Sequence, residues 1–189
     1  NVIYTMAGPE IAVASTKAYT TQVVVMNLLG MYFADLKGIL DKDVEKELKE
    51  SLLSLPEKIE AVLEMKSQVA EVSKILAEET DLFYLGRGAD YALVIEGALK
   101  VKEISYVHSE AYAGGELKHG PIALIEKGTS VITLLTQERL KDKMISNVKE
   151  VTTRGGNILA IVNDGDESAK NITDDVIYIP KTIDLLTPL

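Results

Sequence analysis

The sequence contains no cysteine, and this absence excludes several kinds of chemistry. Disulfide bonds, thiolate metal sites and a cysteine nucleophile are impossible within these 189 residues. Because a chain without cysteine is compatible with a reducing compartment, we expect a cytoplasmic protein. Long apolar runs are also missing, since no stretch reaches the roughly 18 consecutive apolar residues of a membrane helix. The N-terminus lacks the basic-then-apolar pattern of a signal peptide and a starting Met, so we expect a piece of a longer protein.

Positive charge is scarce relative to negative charge. The net charge is −9, which argues against nucleic acid as a partner because phosphate backbones bind clustered Lys and Arg. A small phosphorylated ligand stays possible, since a few backbone N–H groups and one or two cations can hold it. Hydrophobic residues make up 47% of the chain, which favours a folded globular protein over disorder. No group of His, Asp and Glu has the spacing of a metal site, so we expect no metal.

The periodicity of the apolar residues changes near Thr80. Before it, helical spacing predicts helices over residues 15–34, 41–65 and 67–78, after a short β-branched strand over residues 1–5. Ser15 or Thr16 is the expected N-cap of the first helix, and Pro56 is expected to kink or divide the second. Residues 1–79 therefore read as a mainly helical segment.

After Thr80, short apolar strands alternate with helices. Strands are predicted over residues 81–85, 109–112, 130–135, 157–162 and 176–179, and helices over 91–107 and 138–154, the last stopped by Gly155-Gly156. Near-continuous apolar strands indicate a parallel sheet that is covered on both faces. The predicted fold is an α/β sandwich, with a parallel sheet of about five strands flanked by helices and preceded by a helical segment.

A short internal sequence similarity, called the echo below, suggests a repeat. Val2-Ile3-Tyr4 is followed by Glu10-Ile11 at the same distance at which Asp184-Leu185 follows Val176-Ile177-Tyr178. The echo predicts that residues 1–79 hold the C-terminal end of a first α/β repeat plus connecting helices. Residues 80–189 would then hold a second repeat that lacks its final helix and tail.

The turn Gly86-Arg87-Gly88 lies between a predicted strand and a predicted helix. A glycine-rich turn at a helix N-terminus offers free N–H groups to an anion, and Arg87 would add a fork of donors. The alternative is purely conformational, because a tight strand-to-helix turn needs glycine in any case. The full dinucleotide-binding pattern is not met, because no third glycine follows Gly86 and Gly88 at the required spacing.

The helix after this turn carries a charged row. Glu96, Lys100 and Glu103 are spaced so that they share one helix face. A carboxylate, an ammonium and a second carboxylate in a row can move protons next to a carbonyl group. An ordinary solvated face with a Glu–Lys pair is the alternative.

The third candidate is the segment Glu116–Pro121, which contains His119. It is bounded by Gly and Pro and follows a short strand, where parallel sheets place functional groups. His119 can exchange protons near neutral pH, or be a surface residue with no role. The only other histidine, His108, is expected to cap the long helix.

A fourth candidate is the start of the first helix, where Ser15, Thr16 and Lys17 precede Thr20-Thr21-Gln22. These groups could bind a phosphate or a sugar. A helix cap followed by a polar helix face is the favoured alternative.

Taken together, these segments form one pattern that resembles the sugar-isomerase (SIS) domains of the glutamine–fructose-6-phosphate aminotransferase family. The resemblance to the second SIS domain lies in Leu85–Gly88, Glu96–Tyr106, His108–Tyr112 and Gly115–Pro121. The resemblance to the end of the first SIS domain lies in Ala7–Ile11, Val13–Ala18 and Thr20–Gln22. The stretches span most of the chain in the family's order.

The resemblance implies a role for each matching residue. In that family, fructose-6-phosphate is ring-opened, forms an imine and becomes glucosamine-6-phosphate by proton transfer between C1 and C2. Glu103 would be the base, Lys100 would stabilise the enolamine-like intermediate, and Glu96 would orient the sugar. His119 would assist ring opening at the neighbouring subunit's site, which implies a homodimer through the SIS domains. The substrate-binding positions at the end of the first SIS domain would be Val13, which lines the sugar pocket, and Ser15.

The resemblance also implies parts that these residues do not contain. The family's phosphate-binding loop lies upstream, its glutaminase domain further upstream, and its imine-forming lysine in a C-terminal tail. Ala92 stands where many members have proline, a minor departure. We therefore expect this chain alone to lack ammonia production, phosphate capture and imine formation. No metal or organic cofactor is implied.

Two other functions compete with this interpretation. One is a SIS-family deglycase or deaminase that acts on fructosamine-type sugar phosphates. The other is a regulatory module that binds a sugar phosphate without catalysis. A third hypothesis concerns structure: the helix over residues 15–34 could fill the groove left by the second repeat's missing final helix, within one chain or in a swapped dimer.

Overall fold

The computed structural model describes residues 1–189, with six α-helices and five β-strands. The helices are α1 (Lys17–Leu36), α2 (Lys42–Leu53), α3 (Leu55–Glu64), α4 (Lys66–Leu76), α5 (Ala89–Ser105) and α6 (Lys141–Thr153). The strands are β1 (Asp81–Gly86), β2 (His108–Ala113), β3 (Ser130–Leu134), β4 (Asn157–Asn163) and β5 (Val176–Ile179). None of the helices is both long enough and apolar enough to span a membrane.

The five strands form one parallel sheet in the order β2-β1-β3-β4-β5. The predicted α/β sandwich is therefore confirmed, and each strand lies within one or two residues of its predicted range. The central strands are easy to predict because they are buried on both faces, and β3 is buried at every position, whereas the edge strands β2 and β5 are mostly half-buried.

Two hydrophobic clusters cover the two faces of this sheet. On one face, Met144, Val148 and Val151 of α6 pack with inward residues of β1, β3 and β4. On the other face, Val94 and Ala98 of α5 pack with the alternate residues of the same strands. Residues along each strand point to opposite faces, which is why one short strand serves both clusters.

The chain divides into two compact units, residues 1–59 with residue 189, and residues 60–188. In the first unit, the strand predicted over residues 1–5 is wrong. No strand pairs with these residues, and Val2 and Tyr4 are largely exposed, so β-propensity alone does not form a strand there. The matching segment Val176–Ile179 does form a strand, because β4 pairs with it.

The predicted helix over residues 41–65 is divided in two, and Pro56 is the reason. The helix α2 ends at Leu53, and Pro56 is the second residue of α3, where its missing N–H is not needed. The start of α2 is capped by Asp41, whose Oδ1 accepts from the N–H of Asp43 at 2.8 Å and of Val44 at 3.2 Å.

Two further helix predictions need correction. The helix predicted over residues 138–154 begins with a short 3₁₀ turn over Glu138–Leu140, so α6 begins at Lys141. His108 does not cap α5, because that helix ends at Ser105 and Tyr106 adopts the left-handed conformation. His108 instead begins β2, with Nδ1 at 2.7 Å from Oδ1 of Asp81.

Candidate active site

The turn between β1 and α5 requires both of its glycines for steric reasons. A Cβ on Gly86 would lie 2.5 Å from the backbone carbon of Asp90, and Gly88 has a φ of +60°. This supports the conformational interpretation of the Gly86-Arg87-Gly88 turn. The turn directs α5 away from the carboxyl end of β1, the edge at which α/β proteins place their sites.

The charged row on α5 forms as its spacing predicts. The Nζ of Lys100 lies 2.6 Å from Oε2 of Glu103 and 3.5 Å from Oε1 of Glu96. All three side chains are half-buried, with 19–29% of their surface exposed. On the inner side of the helix, Val94 and Ala98 are buried against the sheet, so the row is carried by a fixed element.

The electrostatics of the row favour a charged ammonium. The hydrogen bond from Lys100 to Glu103 raises the pKa of Lys100 above its ordinary value, and the negative charge of Glu96 raises it further. Lys100 therefore keeps its charge at neutral pH and loses it only in strongly alkaline solution. The second oxygen of Glu103, Oε1, makes no hydrogen bond and is available to a substrate. A fixed cation beside a carboxylate with one free oxygen can transfer a proton and stabilise the negative charge that develops.

His119 lies at the end of a short 3₁₀ turn, Leu117–His119, which follows β2. Its side chain is 73% exposed, and its nearest carboxylate oxygen is Oε2 of Glu116 at 4.0 Å. No hydrogen bond or ion pair joins His119 to Glu96, Lys100 or Glu103. The structure thus brings the three α5 residues together and leaves His119 on a separate exposed loop.

This loop leaves the same edge of the sheet as α5 does. Gly86 and Ala113 are paired at the ends of β1 and β2, and the N–H of Gly114 donates to the carbonyl of Gly86 at 2.9 Å. A Cβ on Gly115 would lie 2.6 Å from Nη2 of Arg87. The Gly114-Gly115 pair therefore lets the guanidinium of Arg87 lie directly over the start of the His119 loop.

Asn147, Asp90 and Thr136, which hold these elements, were not predicted from the sequence. Arg87 donates from Nε to Oδ1 of Asn147 on α6 at 3.0 Å. Asp90, in the first turn of α5, is 2% exposed and accepts from the N–H of Thr136 at 2.9 Å and from its hydroxyl at 2.5 Å. Burial raises the pKa of Asp90 even though these hydrogen bonds act to lower it. An Asp one turn into a helix after a glycine turn was the available signal for this contact.

The two substrate-binding residues predicted near the N-terminus lie in the first unit. Val13 precedes α1 and is 95% exposed. The hydroxyl of Ser15 bonds to the carboxylate of Glu10 and accepts from the N–H of Ala18 at 3.3 Å. Ser15 thus caps α1, whereas the side chain of Thr16 makes no cap hydrogen bond. No group of three or more His, Asp or Glu side chains is arranged to hold a metal ion.

The sequence of residues 75–184 matches the SIS domain family. This chain belongs to the SIS family. The match spans the five-stranded sheet, α5 with its charged row, and the His119 loop. The SIS resemblance and the SIS-type fold expected from the sequence are therefore confirmed.

The similar proteins include aminotransferases. Glutamine–fructose-6-phosphate aminotransferase (isomerizing) of Clostridium tetani is 57% identical over 193 residues, which cover all of this chain and 31% of that protein. The chain thus spans about a third of the length of the curated relatives it matches. The C-terminal domain of glucosamine-fructose-6-phosphate aminotransferase from Francisella tularensis superposes with a TM-score of 0.88 at 36% identity, over 96% of this chain and 51% of that one.

A more distant SIS structure shares the fold alone. Glucosamine-6-phosphate deaminase from Thermotoga maritima has a TM-score of 0.62 and 23% identity, over 95% of this chain and 50% of that one. The chain is thus more similar to the aminotransferase domain than to the deaminase, in both sequence and structure.

Proposed function

We propose that this SIS chain is part of the isomerase half of a glutamine–fructose-6-phosphate aminotransferase, and that α5 performs its proton transfer. The observation that carries the proposal is the row Glu96–Lys100–Glu103. It is half-buried on one face of a packed helix, and the chain that contains it is 57% identical to the Clostridium tetani aminotransferase along its whole length.

The geometry of the row supports a separate catalytic role for each of its three residues. Glu103 uses its free Oε1 to take the proton from C1 of the ring-opened imine and returns it at C2. Lys100 stabilises the electron-rich enolamine-like intermediate through its charge. It can do so because two carboxylates hold its ammonium at 2.6 and 3.5 Å. Glu96 orients the sugar hydroxyls.

His119 acts earlier, at ring opening. Its exposed imidazole suits a group that works outside its own subunit, so a homodimer through the SIS domains would bring it to the neighbouring site. Val13 lines the sugar pocket, and Ser15 contributes to substrate binding. Both residues are accessible at least in part in this chain.

The remaining chemistry belongs to the longer protein. The glutaminase domain supplies ammonia, an upstream loop binds the phosphate and a downstream lysine forms the imine. In this proposal residues 1–79 are the end of a first SIS repeat with connecting helices, and residues 80–189 are the second SIS domain. The protein is cytoplasmic and its glucosamine-6-phosphate feeds UDP-GlcNAc synthesis. Neither a metal nor an organic cofactor takes part.

The test is turnover by the full-length protein together with hydrogen exchange at C2 of glucosamine-6-phosphate in D2O, followed by proton NMR. We expect Glu103→Gln to lower both rates by about 10²–10⁴-fold, the usual contribution of a positioned general base. Glu71→Gln is the matched control, because Glu71 also pairs with a lysine on a helix, at 2.7 Å from Lys74, but lies on α4.

Two results would count against this function. If Glu103→Gln exchanges and turns over at nearly the wild-type rate, Glu103 is not the base. If the wild type binds fructose-6-phosphate but never turns it over, and Glu103→Gln and His119→Ala bind equally well, the regulatory-module alternative is favoured.

A further inference from the structure

The loop that carries His119 is attached to α6 at the two residues that precede the histidine. The side chain of Leu117 is fully buried and belongs to the same cluster as Met144 and Val148 of α6. The next residue, Lys118, extends its Nζ to 2.8 Å from Oε1 of Glu150, also on α6. His119 follows directly and points into solvent.

These two attachments restrict different motions of the loop. Burial of Leu117 fixes the position of the turn, and the hydrogen bond from the N–H of His119 to the carbonyl of Glu116, at 3.0 Å, fixes its backbone. A single buried anchor still allows the turn to pivot. The Lys118–Glu150 ion pair supplies a second point of attachment on the same helix and so removes that pivot.

The ion pair contributes little to stability, which separates positioning from folding. Its side chains are 58% and 28% exposed, and exposed pairs of this kind contribute about 0–1 kcal/mol. A displacement of about 1 Å at a catalytic group, by contrast, can cost as much as ~10²-fold in rate. A small energetic contribution can therefore have a large effect on His119.

From this arrangement we propose that Glu150 is a positioning residue for His119, acting through Lys118, and thus for ring opening of the sugar. The inference rests on the proposed function of His119. Glu150 does not touch the substrate. It holds the Lys118 side chain, and through it the direction in which the imidazole of His119 leaves the loop.

The first experiment measures the loop itself, without any activity. Backbone ¹⁵N order parameters of Leu117–Gly120 are compared between the wild-type 189-residue chain and its Glu150→Gln variant. We expect them to fall from about 0.85 toward 0.6, the difference between a rigid and a flexible backbone. The double variant Lys118→Glu with Glu150→Lys restores the pair with reversed charges and should restore the order. Glu71→Gln should leave this loop unchanged.

The second experiment isolates ring opening in the full-length protein. Its substrates are fructose-6-phosphate and 5-deoxyfructose-6-phosphate, which lacks the hydroxyl that closes the furanose ring and therefore needs no opening. We expect Glu150→Gln to lower kcat about tenfold with fructose-6-phosphate, and to leave the rate with the 5-deoxy analogue at its wild-type value. The charge-reversed double variant should recover the lost rate.

Each outcome decides the question. An unchanged loop in Glu150→Gln overturns the proposal, and so does an equal loss with both substrates, because His119 acts only on the closed ring. A wild-type full-length protein without any turnover refutes the proposed function instead. In that case the order parameters still decide whether Glu150 fixes the loop.

Discussion

Arg87 gives Gly115 a role that the sequence does not reveal. Its guanidinium lies where a side chain at Gly115 would be, and Asn147 holds it there through a 3.0 Å hydrogen bond. Glycine is required at Gly115 because of this close approach rather than for its backbone angles, since Gly115 is not among the residues with a positive φ.

Replacement of Gly115 by alanine should therefore move Arg87. The added Cβ would lie 2.6 Å from Nη2, the far end of a flexible side chain, so the guanidinium can shift and give up its bond to Asn147. We expect a loss of about 1 kcal/mol in the free energy of unfolding, at the low end for overpacking. Urea denaturation measures this loss.

Gly97→Ala is the matched control for that variant. It adds a Cβ in the middle of α5 at an ordinary distance of 3.7 Å from the ring of Tyr84. It should leave stability unchanged or raise it by about 0.5–1 kcal/mol, because glycine is a poor helix former. If Gly115→Ala is as stable as Gly97→Ala, the role given to Arg87 is wrong.

At the level of elements, α5 is held at its N-terminus by Asp90. The carboxylate accepts two hydrogen bonds from Thr136, which follows β3, so the helix with the charged row is tied to the centre of the sheet. Burial raises the pKa of Asp90, so the folded state binds its proton more readily than the unfolded chain does. Stability from this group is present at pH below the unfolded pKa of about 3.9 and is lost as pH rises through the folded value.

Asp90→Asn should therefore be more harmful at acidic pH than at neutral pH. The two donors of Thr136 bond to different oxygens of Asp90, and the NH2 group of asparagine replaces one of these oxygens with a donor. The variant therefore loses about 1–3 kcal/mol. The wild type regains stability from Asp90 on acidification, whereas the variant cannot. Urea unfolding of both proteins at pH 4.5 and 7 measures the difference in free energy, and a difference that does not change with pH would contradict this account.

The elements could be predicted to different degrees, and the reasons are physical. The strands β1, β3 and β4 are visible as short apolar runs because most of their residues on both faces are buried or half-buried. The edge strand β5 is visible as a shorter apolar run, in which only Ile177 is buried. Residues 1–5 have the same composition but no partner strand, and a strand is stable only when it is paired. Composition therefore identifies a strand only where the rest of the sheet is also present.

The same contrast applies to the site. The row Glu96–Lys100–Glu103 was predictable because helical geometry alone brings these residues together. The partners Asn147 and Glu150 were not, because each contacts its partner over a separation of 60 residues to Arg87 and 32 to Lys118, which only tertiary packing determines. His108 was misassigned because Tyr106 ends α5 in the left-handed conformation, which residues other than glycine rarely adopt.

At the scale of the whole molecule, the two units differ in how they are stabilised. Both hydrophobic clusters consist of residues from Leu76 onward, and all five strands lie in the second unit. In the first unit only Leu48 and Leu55 are buried, and α1 has no buried residue although it carries Met26, Tyr32 and Phe33. The second unit thus contains the elements that a stable α/β domain requires.

We expect this second unit to fold without the first. The unit boundary at residue 59 falls inside α3, so the test chain should begin at Ser54 and keep that helix whole. Its urea midpoint should match that of the 189-residue chain when both are followed by near-UV circular dichroism, since the tyrosines buried in the clusters lie in the second unit. It should also bind less of the hydrophobic dye ANS, because the exposed apolar side chains of α1 are gone. A midpoint that falls by more than about 1 M, or about 1–3 kcal/mol at a typical urea slope, would mean that residues 1–53 belong to the stable core.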